Sequence, residues 1–498
     1  MKVSTLIATI ALASQSALAQ AYNDWTVAQI TDAFNSGSLT SVQLTQYYLD
    51  RIALYNPTLH AVIETDPQAL VWAEQADKDR VACKPTNTCN PLLGIPVLLN
   101  DNIATRDLSQ STAGSWALYG SIPTSDAFVV SKLRSAGAVL LGKSNLSELN
   151  GARGASVPNG WSGRGGQTVH PFNATVNVGA GSSGAAVAAT ANLAAITLGY
   201  ETDGSIISPA ASNGVVGFKP TVGLVSRSGI LGSSQTQDSV GPIARSVADA
   251  ALLLDAIVGT DPNDASTANA DTKKPTSSYA SFVHGLGGPW SLAGVKVAFD
   301  SNTTAVLGFA TGMFQYALGA SGVTLPFPQI DSSTEAIIVN TELKAGLNAY
   351  LAALQYSPVR NLASLIKATS QNALENSYGV EGLTSAQNSL GLQDPAYLQA
   401  KKTQAENAQV IDQFFAANNI SVFIGYSETL SHAAALAGYP ILTLPAGTPR
   451  QLNGDNTPYS VGFIGLPYSE PILLKVASTY EQFIRGAMKI TRAQPPGY

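Results

Sequence analysis

The sequence contains little charge, few histidines and only two cysteines. Charged residues make up 12% of the 498 positions, and the formal net charge is −6. Clusters of lysine and arginine are missing, which argues against a nucleic-acid partner. Hydrophobic residues make up 45% of the chain, which excludes a disordered protein and predicts a compact globular one.

No hydrophobic run near the N-terminus is long enough to span a membrane. The apolar stretch at residues 3–13 follows Lys2 and precedes the sequence ALA at 17–19, which fits a signal-peptidase site. Because this stretch is shorter than a bilayer requires, we expect a signal peptide at residues 1–19 and no membrane anchor. The sequence therefore predicts a secreted protein.

The two cysteines lie in one turn-rich loop. Cys83 and Cys89 are six positions apart, and in an exported protein such a pair is typical of a disulfide. Two free thiols remain the alternative. A metal site is not expected here, because no histidine is nearby and two ligands are too few. Two triplets fit glycosylation acceptors in a secreted protein, at Asn302 and Asn419.

Short apolar stretches alternate with segments of helical spacing. Residues 92–99 and 138–141 predict buried strands. Helical patterns cover residues 25–79, 129–133, 185–198, 244–258, 342–354 and 395–416. This alternation predicts an α/β fold around one large sheet. Nothing in the composition resembles a linker, so we expect a single domain over residues 20–498.

The most informative motifs place two serines in glycine-rich turns. The first turn has the sequence GSSG at 181–184, and the second has ETDGS at 201–205. Glycine permits positive φ and lets a substrate approach the backbone closely. A serine among free backbone N–H groups can attack an acyl carbon while those donors hold the developing oxyanion. The two turns therefore predict a hydrolase with a serine nucleophile.

These turns belong to an ordered set of motifs that resembles the amidase signature family of serine hydrolases. The set covers nearly the whole chain after the signal peptide and includes GIPVLL at 94–99, AGAVLLGKSN at 136–145, GGQ at 165–167, NGVVGFKPT at 213–221, DSVGP at 238–242 and AGYP at 437–440. The resemblance implies the α/β amidase signature fold, with a large, mostly mixed central sheet flanked by helices. It also implies a secreted amidase of fungal type without a metal or an organic cofactor.

The resemblance assigns roles to residues in both turns. Ser205 matches the family's nucleophile, and Ser182 matches a bridging serine that sits on a cis peptide bond in the family. Ser183 supports the hydroxyl network, and with Gly181 it is expected to lie beside the substrate. The oxyanion hole is expected to consist of backbone N–H groups of Thr202, Asp203, Gly204 and Ser205.

One position departs from the family pattern. The family's triad lysine should follow residues 94–99, and Asn100 stands there. A neutral lysine accepts the proton that the nucleophile releases, whereas an Asn amide is not a useful base near neutral pH. A positioned general base contributes about 10²–10⁴ in rate. We therefore expect attenuated hydrolysis unless another base has moved in.

Other residues are candidates to replace the missing base. Lys143 and Lys219 lie inside family-like motifs, and a structural role is favoured for both because related chains carry them alongside the triad lysine. His170 could approach the pocket, although a hydrogen-bonded loop histidine is the simpler interpretation. Nothing in the sequence around the remaining histidines indicates catalysis, namely His60, His284 and His432.

The residues support two hypotheses of function. The first is an amidase, acting on C–N bonds of linear amides, that cleaves a small carboxylic amide or ester through an acyl-enzyme on Ser205 and is weakened by Asn100. The alternative is a catalytically silent protein of the same fold that binds a small molecule, or that catalyses a non-hydrolytic step in secondary metabolism, such as a cyclisation. Substrate identity and oligomeric state stay open.

Overall fold

A mixed sheet of eleven strands forms the centre of this computed structural model, which describes residues 22–86, 88–283, 292–301, 321–447, 458–487, 495 and 498. Numbered along the chain, the strands are β1 Val62–Thr65, β2 Pro96–Asn100, β3 Val139–Ser144, β4 Trp161–Ser162, β5 Gly166–Gln167, β6 Ile196–Glu201, β7 Val216–Lys219, β8 Ser239–Ala244, β9 Lys296–Asp300, β10 Ser321–Leu325, β11 Val422–Tyr426, β12 Ile441–Gly447 and β13 Tyr459–Ile464. The two short strands β4 and β5 form a separate ribbon.

The order across the large sheet is β1-β3-β2-β6-β8-β7-β12-β13-β11-β9-β10. The neighbours β3, β2 and β6 run parallel, as do β11, β9 and β10, and the other pairs are antiparallel. This mixed sheet with its flanking helices confirms the predicted fold class. Strands β2, β3, β6, β7 and β8 are buried along their full length, as expected where both faces of a sheet are covered.

Helices cover the sheet and extend beyond it. In chain order they are α1 Val27–Ser36, α2 Ser41–Leu59, α3 Ala69–Cys83, α4 Phe128–Ser135, α5 Ser183–Thr190, α6 Ile207–Asn213, α7 Val247–Ile257, α8 Ala270–Lys273, α9 Glu335–Ala353, α10 Leu362–Gln371, α11 Glu381–Gln387, α12 Pro395–Asn418, α13 Ser427–Ala437 and α14 Glu470–Gln482. Local signals set several of their ends. Thr26 and Thr40 form capping boxes at the starts of α1 and α2, and Asp394 caps α12 by accepting a hydrogen bond from the Ala396 N–H.

Two stretches differ from the predicted pattern. Residues 185–198 predict one buried helix, but α5 ends at Thr190 and β6 begins at Ile196. Between them Asn192 adopts φ 56°, a left-handed conformation that asparagine tolerates and that ends a helix. Residues 25–79 predict helix only. In the structure the strand β1 lies between α2 and α3 and pairs with β3 at the edge of the large sheet.

The predicted disulfide is present and joins Cys83, at the end of α3, to Cys89. Asn419 is exposed just after α12, at φ 50°. The signal-peptide segment 1–19, the triplet at Asn302 and His284 lie outside the described residues. Within the residues that are described, none of the helices combines the length and the apolar composition needed to cross a bilayer.

Candidate active site

Three parallel strands end at one edge of the sheet and bring predicted site residues together. β3, β2 and β6 end at Ser144, Asn100 and Glu201, and Asn100 lies directly opposite Ser144 in the strand register. The ETDGS turn follows β6 at this edge. Ligands of α/β sheets commonly bind outside the carboxyl ends of parallel strands, where the loops are free to form a crevice. The topology therefore places the site at this edge.

The turn after β6 carries Ser205. Gly204 adopts φ 71°, a left-handed conformation that glycine takes up without strain. The Glu201 carboxylate fixes the turn, because its Oε2 accepts hydrogen bonds from the N–H groups of Ile206 (2.6 Å) and Ile207 (2.8 Å). Ser205 is 6% exposed. Within the described part of the chain its hydroxyl makes no hydrogen bond, so it is free to interact with a substrate.

Four consecutive backbone N–H groups lie unused in the same turn. Those of residues 202–205 donate to no described residue, and they belong to neither a helix nor a strand. The start of the turn is anchored because the Thr202 hydroxyl donates to the Asp238 carboxylate (2.6 Å). These are the donors that the sequence predicts for an oxyanion hole, and they are available to a substrate oxygen.

Asn100 bonds directly to Ser182. Its Nδ2 donates to the Ser182 hydroxyl (2.9 Å), and its Oδ1 accepts from the Ser144 hydroxyl (2.9 Å). Ser182 Oγ also accepts from the Tyr200 N–H (3.1 Å) and donates to the Tyr200 carbonyl oxygen (3.0 Å). The side chains of Asn100, Ser144 and Ser182 are fully buried. The Asn100 amide therefore holds Ser182 in place but supplies no base.

The cis peptide bond expected at Ser182 is not found. All peptide bonds in the described residues are trans, so this prediction was wrong. In the trans form the Ser182 N–H reaches the Ser205 carbonyl oxygen (2.8 Å), and the Ser182 hydroxyl reaches Asn100. A cis bond is unfavourable outside proline, and these contacts are made without one.

The other two predicted substrate contacts differ in their surroundings. Gly181 lies between Ser205 and the 3-10 segment Glu148–Gly151. A Cβ atom on Gly181 would stand 2.8 Å from Ser205 Oγ on one side and 2.3 Å from Asn150 Oδ1, in that segment, on the other. The Ser183 hydroxyl is buried and has no hydrogen-bond partner among the described residues. Gly181 thus borders Ser205, and Ser183 keeps an unused hydroxyl next to Ser182 in the chain.

Lys143 does not reach the two serines. It precedes Ser144 on β3, and successive side chains of a strand lie on opposite faces of the sheet. Its ammonium donates to the Ser111 hydroxyl (2.9 Å) and to the Ile103 carbonyl oxygen. Burial lowers the pKa of Lys143, but its contacts agree with the structural role that the sequence favours.

Lys219 and His170 are also engaged in structural contacts. The Lys219 ammonium donates to the Tyr439 carbonyl oxygen (2.8 Å). Burial lowers the pKa of Lys219 to about 8 and raises the pKa of the nearby Glu201 carboxyl to about 7. His170 is buried, and its Nε2 hydrogen-bonds with the Ser212 carbonyl oxygen (2.9 Å). The sequence interpretation of His170 as a hydrogen-bonded loop histidine agrees with this geometry.

His432 contacts the 201–205 turn, although nothing in the sequence around His432 indicates this. On α13, its Nδ1 donates to the Asp203 carboxylate (2.6 Å), and Glu335 Oε2 lies 3.9 Å from the same nitrogen. The ligand atoms of the three side chains lie within 4.8 Å of one another, although the histidine nitrogen already has a partner. Asp203 and His432 are 229 positions apart, so only the fold reveals this pair.

The pKa of His432 reports whether His432 and Asp203 are hydrogen-bonded. Its hydrogen bond with Asp203 raises the pKa of His432 above the ordinary value. We expect Asp203→Asn to lower that pKa, because the substitution removes both the carboxylate acceptor and its charge. NMR titration of the imidazole Cε1–H, assigned with His432→Gln, measures the shift. Glu428→Gln, an exposed change one turn earlier on α13, is the matched control. An unchanged midpoint in Asp203→Asn would contradict the contact.

A cavity of about 1060 Å³ is lined by Tyr200, the residue before the 201–205 turn. Asp238, the hydrogen-bond partner of Thr202, lines this cavity, whereas Asn100, Ser182 and Ser205 do not. The cavity therefore lies near the 201–205 turn, but Ser205 is not part of its lining. Its lining mixes apolar residues with the polar side chains of Arg227, Ser233, Asp264 and Glu342.

Comparison with known proteins extends over almost the whole chain. The sequence profile of the family described as Amidase matches residues 43–424. A probable amidase of Arabidopsis thaliana is 40% identical over 488 residues, which cover 96% of this chain and 94% of the relative. The chain belongs to the amidase family. The predicted enzyme class, hydrolases of C–N bonds in linear amides, is confirmed at the level of this family.

A solved structure and a further relative are also similar to this amidase over nearly its whole length. Peptide amidase from Stenotrophomonas maltophilia matches with a TM-score of 0.85 and 38% identity, covering 95% of this chain and 99% of that enzyme. A putative amidase of Schizosaccharomyces pombe is 33% identical over 507 residues, which cover 93% of this chain and 85% of the relative. The amidase signature fold therefore accounts for nearly the full length.

One residue that the sequence analysis did not single out faces Ser205 in this amidase. Asn150 lies in the 3-10 segment Glu148–Gly151 and is 8% exposed. A Cβ atom on Gly181 would stand 2.3 Å from Asn150 Oδ1 and 2.8 Å from Ser205 Oγ. Only glycine fits between these two side chains, so Asn150 and Ser205 approach each other across residue 181. No local pattern predicts this neighbour.

Proposed function

We propose that this amidase cleaves carboxylic amides through an acyl-enzyme on Ser205. The Ser205 oxygen bonds to the acyl carbon, the C–N bond breaks, and the serine proton leaves on the nitrogen as part of ammonia or an amine. Water then gives its hydroxyl to the acyl carbon and a proton back to Ser205. The unused N–H groups of residues 202–205 carry this proposal, because they are donors for the oxyanion formed in both steps.

The proposed reaction is slow because Asn100 supplies no base beside the serines. Its amide donates a hydrogen bond to Ser182 (2.9 Å) but does not accept the Ser205 proton. That proton then has to pass to the departing nitrogen without a base that holds it on the way, because the Ser182 hydroxyl already donates to the Tyr200 carbonyl oxygen. A general base contributes about 10²–10⁴ in rate. Since ester leaving groups need less protonation, we propose that the missing base slows ester cleavage less than amide cleavage.

The proposed substrates are small carboxamides, with the C-terminal amides of short peptides as the first candidates. The likeness to peptide amidase supports this class, because it extends over 99% of that enzyme at 38% identity. The sequence carries no motif between residues 260 and 417 that points to a particular acyl group. The proposal is therefore limited to the chemical class.

Covalent labelling with a fluorescent serine-directed phosphonate tests the role of Ser205. We expect the native protein to be labelled at Ser205 and the Ser205→Ala variant to remain unlabelled. Ser208→Ala is the matched control, because this serine lies three positions later and its N–H donates to the Gly204 carbonyl oxygen. Peptide mapping identifies the labelled residue. Labelling at another serine, or none at all, would refute the proposed nucleophile.

A silent binding protein is the second candidate, and Asn100 is the observation that favours it. In that case the native protein binds a small amide with defined stoichiometry, the binding survives in Ser205→Ala, and no acyl substrate is turned over. Ammonia release from a panel of peptide amides separates the two candidates. Turnover that depends on Ser205 supports the hydrolase, and binding without turnover supports the silent protein.

We propose that the amidase is exported and glycosylated. The Cys83–Cys89 disulfide supports this location, because disulfides persist in oxidising compartments. Asn419 is exposed, as an acceptor asparagine must be. N-terminal sequencing of protein recovered from the medium is expected to begin after residue 19, and endoglycosidase treatment is expected to lower its mass. Recovery only inside the cell, with residues 1–19 still attached, would contradict export.

A further inference from the structure

Asn150 is held in a backbone conformation that few residues adopt. It has φ 57° and ψ 33°, and the preceding Leu149 has φ 52° and ψ 35°. Two consecutive left-handed residues are unfavourable and persist only where the surrounding structure enforces them. Arg153 supplies that constraint, because its guanidinium donates to Glu148 (2.8 Å) and to the Tyr378 carbonyl oxygen (2.8 Å). The fold therefore keeps the Asn150 side chain at a fixed place beside the nucleophile.

The Asn150 amide is buried but has no partner. Neither Oδ1 nor Nδ2 forms a hydrogen bond within the described residues, and burying both groups in this way is unfavourable. Asn192 offers a comparison, since it is also buried and left-handed, at φ 56°. Its Nδ2 donates to the Tyr47 hydroxyl (3.0 Å), so half of its amide is satisfied, whereas its Oδ1 has no partner among the described residues. The backbone conformation explains an asparagine at 150, but it does not explain an amide left without partners.

We propose that Asn150 binds the amide group of the substrate, with Oδ1 accepting a hydrogen bond from the leaving nitrogen. This inference rests on the proposed function and names the group that selects its substrate class. With the carbonyl oxygen on the N–H groups of 202–205 and the acyl carbon at Ser205, the substrate nitrogen lies toward Asn150. An amide supplies the N–H that Oδ1 lacks, whereas the leaving oxygen of an ester has no proton to donate. Asn150 thus sets a binding preference for amides over esters.

The test measures binding, so that it does not depend on the rate of turnover. In the Ser205→Ala background, calorimetry gives Kd for a panel of N-acetylated amino-acid amides, each paired with the methyl ester of the same acid. We expect amides to bind about tenfold more tightly than their esters or better. Asn150→Gly is expected to remove most of this ratio, and glycine suits the left-handed backbone. Asn150→Asp keeps an acceptor at the same place and is expected to retain the preference.

Asn192→Gly is the matched control, because it replaces the same residue type in the same backbone conformation away from Ser205. We expect it to leave the amide-to-ester ratio unchanged. A ratio that survives Asn150→Gly overturns the inference, as does a panel in which no amide binds to Ser205→Ala. Phosphonate labelling of the native protein tests the proposed Ser205 nucleophile separately from the proposed role of Asn150. Missing label at Ser205 refutes the proposed nucleophile, whereas normal label with an unchanged ratio refutes only the role of Asn150.

Discussion

Asn100→Lys is expected to raise kcat/KM for a peptide amide by about 10²-fold or more over the native protein. The side chain at position 100 is fully buried and bonds to Ser182. Burial disfavours the charged form of lysine, so part of the ammonium is deprotonated near neutral pH and accepts the proton relayed from Ser205. Ammonia released from a dipeptide amide, followed at several substrate concentrations, gives kcat and KM separately. We expect the gain mainly in kcat, because the base acts on the proton transfer.

Two variants separate the base from other effects of the longer side chain. Asn100→Met has a similar length and no nitrogen, and we expect it to give no gain. Asn100→Lys combined with Ser205→Ala is expected to be inactive, since the base has no nucleophile to activate. Equal activity of the native protein and Asn100→Lys would show that another group already accepts the proton. His432 is then the first residue to replace, because it contacts the 201–205 turn through Asp203.

The parts of the site that could be predicted from the sequence are those with local signals. The turns at 181–184 and 201–205 need glycine, and their serines and N–H groups follow from the turns themselves. Asn100 could be placed because it directly follows an apolar run that is typical of a buried strand. The parallel pairing of β2 with β6 then brings Asn100 and the second turn to one edge of the sheet.

The rest depends on contacts between distant segments. His432 and Asp203 meet only because α13 packs against α6, the helix that follows the 201–205 turn, and no pattern around His432 indicates this. The position of Asn150 beside Ser205 depends on a glycine thirty-one positions later, at 181. The alanine-rich stretch 185–198 predicts one helix where the structure has a helix and a strand, because small apolar residues suit both a buried helix and a buried strand. The spacing of hydrophobic residues alone does not distinguish a buried helix from a buried strand.

Arg153 connects the segment that holds Asn150 with the chain before α11. Its side chain is fully buried, and it donates to Glu148 (2.8 Å), to the carbonyl oxygen of Gly379 (3.0 Å) and to that of Tyr378 (2.8 Å). Glu375 lies in the same buried network, where its carboxylate accepts hydrogen bonds from the Ser115 hydroxyl and the Trp116 N–H. The Arg153 cation thus pairs with the Glu148 carboxylate, lies close enough to Glu375 to interact with its charge, and donates to several backbone oxygens.

Arg153→Met is expected to lower the free energy of unfolding by about 3–5 kcal/mol at pH 9. Methionine replaces much of the buried volume, so the loss reflects carboxylates left without a cation and carbonyl groups left without donors. Urea unfolding followed by circular dichroism measures it. The control is Arg106→Met, an exposed arginine whose guanidinium donates to Thr124 and Gln355. We expect that change to cost less than about 1 kcal/mol.

The loss caused by Arg153→Met is expected to grow with pH. Burial, and then the neighbouring Glu375, raise the pKa of Glu148 to about 8, well above its value of about 4.3 in an unfolded chain. Stability from such a group falls as pH rises from the unfolded to the folded pKa, because the folded state binds the extra proton. Removing the Arg153 cation raises the folded pKa further, so the variant and the native protein differ least at pH 5 and most at pH 9. Equal losses at both pH values would contradict a charged network, and Glu148→Gln in the variant is expected to reduce the pH dependence.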